Sequence, residues 1–158
     1  KFARGGWPGR REIGASDGDD HLAAIASAVS DFRVSLSERV AMTEKWLLTG
    51  EIKVSEAAGG RIAVVESTHR AATSVGYSLA PVVVARNPAF KLGGGEAHVK
   101  FTICQFAGGF VDIRAILAEL ASLEAGWGGS PTIGGSPQGV SSALTIDQVV
   151  EVVAKHLK

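Results

Sequence analysis

The stretch that decides the fold is RIAVVESTHRAATSVGYSLAPVVVARNP, residues 61–88. Its two ends, residues 61–67 and 81–88, are short apolar runs rich in β-branched residues, a composition typical of buried strands. The segment between them, residues 68–79, predicts a helix. A strand, a helix and a second strand in succession indicate an α/β fold, in which helices cover a sheet.

The next two segments extend this sheet. HVKFTICQF, residues 98–106, alternates apolar and polar positions and predicts a third strand. The connection before it, AFKLGGGEA, is a glycine-rich turn, so the second and third strands are expected to form a hairpin. A hairpin added to a strand–helix–strand unit predicts a small mixed β-sheet flanked by helices.

Two helices are predicted after the third strand. In GGFVDIRAILAELASLEAG, residues 108–126, Asp112 is placed to cap the helix. The apolar positions of that helix recur at helical spacing: Ile113, Ile116, Leu117, Leu120 and Leu123. In LTIDQVVEVVAKHLK, residues 144–158, Thr145 and Gln148 have the spacing of a capping box. Each helix is therefore expected to present one apolar face to the sheet.

The N-terminal part of the chain is organised differently. Residues 1–16 are rich in glycine and basic residues and predict a flexible arm. Residues 17–54 predict a long connector helix or helix pair, whose apolar stripe is Leu22, Ile25, Val29, Phe32, Leu36, Val40 and Leu47. Residues 55–60 are expected to form a linker or turn at the start of an α/β domain spanning residues 55–158. Because such a stripe is costly to expose, we expect residues 17–49 to pair with a second copy or to dock on another domain.

The composition narrows the class of protein. Sixteen basic and sixteen acidic residues cancel, so the chain lacks the positive field of a protein that coats DNA. A single cysteine, Cys104, excludes an internal disulfide and any zinc site built from several cysteines. The sequence has no apolar run of membrane-spanning length and no visible signal peptide, so we expect no membrane partner and a cytoplasmic location.

The stretch GWGGSPTIGGSPQG, residues 126–139, is the candidate site. Its glycines allow backbone N–H groups to converge and a ligand to approach closely, which is how many loops bind phosphate. Trp127 within it is either a packing anchor or a stacking platform for a base. The stretch fits neither a Walker A loop nor a dinucleotide-binding fingerprint. A tight structural turn between packed layers is the alternative.

The same stretch resembles a known family signature. GGSPTIGG, residues 128–135, is similar to the Gly-Gly-His-Pro-x-Ala-Ala-Gly loop in the C-terminal associated domain of the DHH phosphoesterase family (RecJ-like, archaeal type). The order of elements across residues 61–158 also matches the order around that loop. The resemblance implies a domain that binds a phosphate-containing substrate, such as an oligonucleotide or single-stranded nucleic acid. The predicted phosphate-binding residues of the stretch are Trp127, Gly128, Gly129, Ser130, Thr132, Gly134, Gly135, Ser136 and Gln138.

The chain departs from the family pattern inside this loop and before it. Ser130 replaces the family's histidine, and Ile133 and Gly134 replace the two alanines. The preceding family strand often carries an arginine, whereas Cys104 and Gln105 follow the strand's threonine here. Because a serine donates a hydrogen bond but carries no charge, the loop is expected to bind phosphate with neutral donors and modest affinity.

The resemblance also implies metal ions that this chain is not expected to hold. The family's catalytic domain uses Asp-x-Asp and Asp-His-His motifs to bind two metal ions, typically manganese, which activate water and bind the phosphoryl oxygens. The nearest stretch, DGDDH at residues 17–21, lacks a second histidine and is expected to be a charged helix start. We therefore expect no catalytic residue and no cofactor in this chain, and manganese or magnesium only on a separate catalytic DHH domain.

Three functions compete. The first is the substrate-binding domain of a DHH-type phosphoesterase, which makes the chain part of a hydrolase. The second is an interaction module, in which the long helix pairs chains and the glycine loop is structural. The third is a complete small hydrolase built on residues 17–21, which offers too few ligands for two metals. Lys53, His69 and Arg70, near a strand end, are a minor alternative anion site.

Overall fold

A computed structural model describes the backbone of residues 18–158 and the side chains of that range apart from residues 18–21, 24 and 34. The predicted arm, residues 1–16, lies outside the described residues. The described elements are, in chain order, α1 (Gly18–Leu48), β1 (Lys53–Ala57), β2 (Ile62–Glu66), α2 (Ala72–Tyr77), β3 (Val82–Phe90), β4 (His98–Gln105), α3 (Ile113–Leu123), β5 (Gly128–Gly129), β6 (Ile133–Gly135) and α4 (Ile146–Lys155).

The chain divides into two units, Lys1–Lys45 and Trp46–Lys158. Helix α1 is one continuous helix of 31 residues, which confirms the prediction of a long N-terminal helix. Several apolar side chains of its predicted stripe are exposed, among them Leu22, Leu36 and Val40. Within residues 18–158, no helix combines the length and the apolarity that crossing a membrane requires.

The strands form one mixed sheet in the order β1-β2-β3-β4-β6-β5. Strands β2 and β3 are parallel, as their connection through α2 requires, and the other neighbouring pairs are antiparallel. The predicted fold class is therefore confirmed: a mixed α/β sheet flanked by helices and preceded by a long helix.

The predicted linker or turn at residues 55–60 is correct only in its second half, because residues 55–57 belong to edge strand β1 and residues 58–60 form a turn. This strand pairs with β2 through a tight turn at residues 58–60, where φ is positive at all three positions (51°, 66° and 82°). The sequence of β1, KVSEA, is mostly exposed and too polar to show the alternation of a half-buried strand. The sheet consequently begins at Lys53, before the predicted domain start at residue 55.

Two apolar clusters lie on opposite faces of the sheet, because alternate residues of a strand point to opposite sides. The first cluster joins β2, β3 and β4 to α3 and α4 around Phe101 and Leu120. The second joins the other side of these strands to α2 around Val75, and it contains the buried thiol of Cys104, as predicted. Helix α2 has only six residues and packs on β2 and β3. The β4–β6–β5 end of that face keeps exposed side chains such as Ile133.

The predicted helix caps are confirmed. The Asp112 carboxylate accepts a hydrogen bond from the backbone N–H of Ala115 at 3.1 Å. Thr145 and Gln148 make both hydrogen bonds of a capping box at the start of α4. Leu123 was expected in the buried stripe of α3, but its side chain is 57% exposed because the helix ends there.

Helix α2 is shorter than predicted, since it covers Ala72–Tyr77 instead of residues 68–79. A turn replaces its expected first part. The Ser67 hydroxyl oxygen accepts the N–H of His69 at 2.9 Å, and the His69 ring accepts the N–H of Ala71 at 3.1 Å. These side chains take the backbone donors that would otherwise begin a helix.

Candidate functional site

The glycine-rich segment contains a short β-hairpin at the edge of the sheet. Within the hairpin, Gly128 pairs with Gly135 and Gly129 with Gly134. Strand β6 in turn pairs with β4, so that Thr102 lies opposite Gly135. The predicted loop at residues 126–139 is therefore ordered by strand pairing, and its glycines become part of the sheet.

Three of these glycines are required by close packing. A Cβ atom on Gly129 would lie 2.3 Å from a carbonyl oxygen of the paired strand. On Gly134 it would lie 2.6 Å from the Leu117 side chain of α3, and on Gly135 it would lie 2.7 Å from a carbonyl oxygen of β4. Real Cβ contacts essentially never fall below 3.0 Å. The hairpin therefore closes against β4 and α3 only because these positions lack side chains.

Backbone freedom is needed at the two ends of the segment. Gly126 has φ of 100° and Gly139 has φ of 75°, values in the left-handed region that favours glycine. The glycines of β5 and β6 have no positive φ. Their conformation is ordinary, and what they contribute is the absence of a Cβ atom.

A groove of 340 Å³ lies over the hairpin and the adjoining part of β4. Half of its lining residues are glycines. Six predicted site residues line it: Gly128, Gly129, Gly134, Gly135, Ser136 and Gln138. The other four lining residues are Gly126 and Ile133, which belong to the candidate stretch without having been named as binding residues, and Lys100 and Thr102, which sequence reasoning missed.

Three predicted site residues do not line the groove. Trp127 is buried in the first apolar cluster, where its ring stacks on Phe101 with centroids 6.1 Å apart and its indole N–H donates to Glu124 at 2.9 Å. It is thus a packing anchor, one of the two roles that its sequence context left open, and it does not line this groove. The Ser130 and Thr132 hydroxyls lie 3.4 Å from each other in the hairpin turn.

The predicted nest of free backbone donors is only partly present. The N–H of Ser130 donates to the Ile133 carbonyl at 2.7 Å and closes the hairpin turn. The N–H of Ser136 donates to the Phe101 carbonyl at 3.1 Å, and the Ser136 hydroxyl oxygen accepts the N–H of Phe101 at 2.9 Å. At these two serines the backbone donors are used by the fold and do not face a ligand.

Lys100 brings a positive charge to the groove. Its side chain is half-buried, its ammonium donates to the Ser136 carbonyl, and its nitrogen lies 3.6 Å from where a Cβ of Gly135 would be. In the part of the chain that the structure describes, no carboxylate oxygen lies within 4.0 Å of that nitrogen. Burial without an acidic partner lowers the pKa of Lys100. The strand alternation put Lys100 and Thr102 on one face, but only the pairing of β4 with β6 brings that face to the glycines.

The side chains of Glu124 and His98 hydrogen-bond to the segment that contains the hairpin, residues 127–142. The Glu124 carboxylate accepts hydrogen bonds from the Trp127 indole at 2.9 Å and from the Ser142 hydroxyl at 2.7 Å. The buried ring of His98 accepts the N–H of Gly139 at 3.3 Å. These contacts fix both ends of residues 127–142 and thereby fix the shape of the groove.

The described residues offer no centre for metal or nucleophilic chemistry. Among them, no three His, Cys, Asp or Glu side chains are grouped closely enough to bind a metal ion. The side chains at residues 19–21 lie outside the described ones. Burial raises the pKa of the Cys104 thiol, which opposes formation of a nucleophilic thiolate.

The alternative anion site near His69 has a packing role at its centre. The His69 ring lies against Trp46, with centroids 4.4 Å apart, and one of its nitrogens accepts a backbone N–H.

Comparison of the chain with protein-family models, with curated proteins and with solved structures finds no match. Conclusions about function therefore depend on the geometry of the groove itself.

Proposed function

We propose that the glycine groove binds a phosphate group of a nucleotide or oligonucleotide. The observation that carries this proposal is the half-buried ammonium of Lys100, which has no carboxylate partner among the described side chains. A cation removed from water without a counter-charge lowers stability, and a bound anion offsets that cost. The site is therefore complementary to a negative ligand.

Phosphate suits the shape and the donors of this groove. The glycine floor allows the ligand to reach the backbone without meeting side chains. The Thr102 hydroxyl and the Gln138 amide belong to the same lining as Lys100, so one ligand has three kinds of donor within reach. Phosphate carries several oxygens that accept such donors at once, and charge-assisted hydrogen bonds of this kind are the strong ones.

The larger proposal is that the chain is the substrate-binding C-terminal domain of a DHH-type phosphoesterase. It is supported by the resemblance of residues 128–135 to the family's glycine loop, since those residues supply half of the residues that line the groove. In this proposal a catalytic DHH domain holds two manganese or magnesium ions and cleaves the ester. The groove holds a phosphate of the same substrate and sets its position.

The binding proposal is tested by titration of a 5′-mononucleotide, followed by amide NMR shifts. We expect the shifts to cluster on residues 100–102 and 126–138. Lys100→Met should weaken binding about tenfold or more, because a hydrogen bond to a charged group contributes roughly 1.5–3 kcal/mol. Lys91→Met, which changes an exposed lysine of the turn before β4, is the matched control and should bind as the wild type does.

The pH dependence of binding gives a second readout. Burial lowers the pKa of Lys100 from 10.5, so the ammonium loses its proton at a lower pH than an exposed lysine. Binding should therefore weaken as the pH rises through this lowered pKa, and Lys100→Met should abolish that dependence. Shifts confined to residues 69–70, with no effect of Lys100→Met, would show that the groove is not the site.

The family proposal has its own test, the coding sequence that adjoins this chain. Asp-x-Asp and Asp-His-His motifs there would support it, and their absence from the same polypeptide and from a co-purifying partner would overturn it. Alone, the chain should hydrolyse no dinucleotide with manganese present. Turnover that survives repurification would favour the complete small hydrolase.

A second candidate function is chain pairing through α1. Its support is the exposure of regularly spaced apolar side chains, including Leu22 at 67% and Leu36 at 50%. Spacings of three and four residues are typical of helices that pair along a seam. Sedimentation should show a dimer that Val29→Asp with Leu36→Asp converts to a folded monomer. A wild-type monomer over the same concentration range would argue against pairing.

A further inference from the structure

The face that carries the groove continues along β4 to an aromatic pair. Lys100, Thr102 and Cys104 alternate onto this face. The Tyr77 ring packs edge-on with the Phe106 ring, with centroids 5.8 Å apart. Phe106 therefore extends the row that starts at Lys100.

Phe106 is far more exposed than packing would require. The Phe106 side chain is 74% exposed, whereas Phe101, another of the six phenylalanines in the chain, is fully buried. Ile133, which lines the groove opposite Cys104, is 50% exposed. The exposed Phe106 and Ile133 side chains thus give an apolar surface beside the glycine groove, at the end away from Lys100. An exposed apolar surface beside a groove is typical of a binding site.

We propose that Phe106, with Tyr77 against its edge, is a stacking subsite for a nucleobase of an oligonucleotide whose phosphate is bound at Lys100. This inference rests on the proposed function of the groove. An aromatic ring held by a neighbour offers a large rigid surface at low entropy cost. Every base has a π face, so such a subsite accepts bases of any sequence.

The spacing indicates which base reaches Phe106. The Lys100 ammonium lies beside Gly135, the partner of Thr102. From Thr102 to Phe106 the strand advances four residues, about 13 Å at about 3.3 Å per residue. That span is longer than the distance from a phosphate to its own base, so the stacked base belongs to a neighbouring nucleotide. The ligand is therefore at least a dinucleotide.

The test compares three ligands: a 5′-mononucleotide, a 5′-phosphorylated trinucleotide, and the same trinucleotide backbone with abasic sugars. The wild type should bind the trinucleotide about tenfold more tightly than the abasic form, since stacking contributes roughly 1–3 kcal/mol per base. Phe106→Leu should reduce this gain to about twofold. Phe110→Leu, at an exposed phenylalanine four residues further on, is the matched control and should retain the full gain.

The outcomes separate this inference from the proposed function. If Phe106→Leu keeps the tenfold gain while Lys100→Met weakens all three ligands, the phosphate groove stands and the stacking subsite is overturned. If the wild type binds none of the ligands, the proposed function fails and the subsite fails with it. Because Phe106 is exposed, its leucine variant should unfold at the wild-type temperature, which shows that any loss is a loss of binding.

Discussion

The chain has two glycine clusters that look alike in sequence and differ in what they require. In the turn before β4, Gly93 has φ of 59°, and a Cβ atom on Gly93 or Gly94 would meet nothing within 4 Å. In the β5–β6 hairpin no glycine has positive φ, yet a Cβ on Gly129 would collide with backbone at 2.3 Å. The first cluster needs conformational freedom, and the second needs empty space. Only the second produces a surface on which a ligand can meet bare backbone.

The strongest test of this difference is a matched pair of alanine variants. Gly129→Ala places a methyl group against the opposite strand, where neither backbone can yield, and should lower the free energy of unfolding by about 3 kcal/mol. Gly94→Ala fills open space and should stay within about 0.5 kcal/mol of the wild type. Urea denaturation measures both. Equal losses of unfolding free energy in the two variants would mean that the hairpin tolerates side chains and that close packing does not explain its glycines.

A smaller effect is expected at Gly134, because its contact is a side chain. A methyl group there would lie 2.6 Å from the Leu117 side chain, which can move. Gly134→Ala should cost about 1–2 kcal/mol, and the cost should fall by about 1 kcal/mol in a Leu117→Ala background. Gly129→Ala should be additive with Leu117→Ala within about 0.5 kcal/mol. If Gly129→Ala were coupled to Leu117→Ala and Gly134→Ala were additive with it, the assignment of the Leu117 contact to Gly134 would be contradicted.

The apolar content of each segment determined how well the sequence predicted the fold. Strands β2, β3 and β4 are buried runs with clear composition, and the caps at Asp112 and Thr145 depend on local spacing alone. Strand β1 was missed because an exposed edge strand has no apolar pattern to find. Strand β5 was missed because it consists of two glycines, which have no strand propensity, and pairing with β6 decides its conformation.

The candidate site was predictable in its glycines and not in its charge. Gly128 to Gly135 stood out by composition, and the structure places most of them in the groove. Lys100 is distant in sequence and comes to the groove only through the register of β6 on β4, which no local pattern encodes. For Trp127 the sequence left a packing role and a ligand role open, because exposure cannot be told from burial for one aromatic residue in a glycine-rich stretch, and the structure buries its side chain. The sequence therefore does not predict the long-range strand register that brings Lys100 to the groove.

The smallest effect is expected at a contact remote from both glycine clusters. Glu119 of α3 accepts from His156 at 2.8 Å and from Lys155 at 3.2 Å, and these contacts lower the pKa of Glu119 below 4.5. A carboxyl group whose pKa is lower in the folded than in the unfolded protein stabilises the fold at a pH above its unfolded-state pKa. That stabilisation is lost as the pH falls through the folded-state pKa. Glu119→Gln should therefore lower the melting temperature slightly at pH 7, and this difference should shrink as the pH falls below 4.5. A difference that does not shrink would assign the effect to packing.

The order of the strands has a kinetic consequence. Strands β1, β2 and β3 each lie beside the next strand in the chain, whereas β6 must reach β4 across helix α3 and strand β5. Long-range pairing bears the larger loop-closure entropy, so the hairpin is expected to join the sheet last and to open first in native-state hydrogen exchange. A ligand that binds only the closed hairpin would slow that exchange in proportion to its occupancy. Ligand binding and local unfolding would then be linked through one equilibrium.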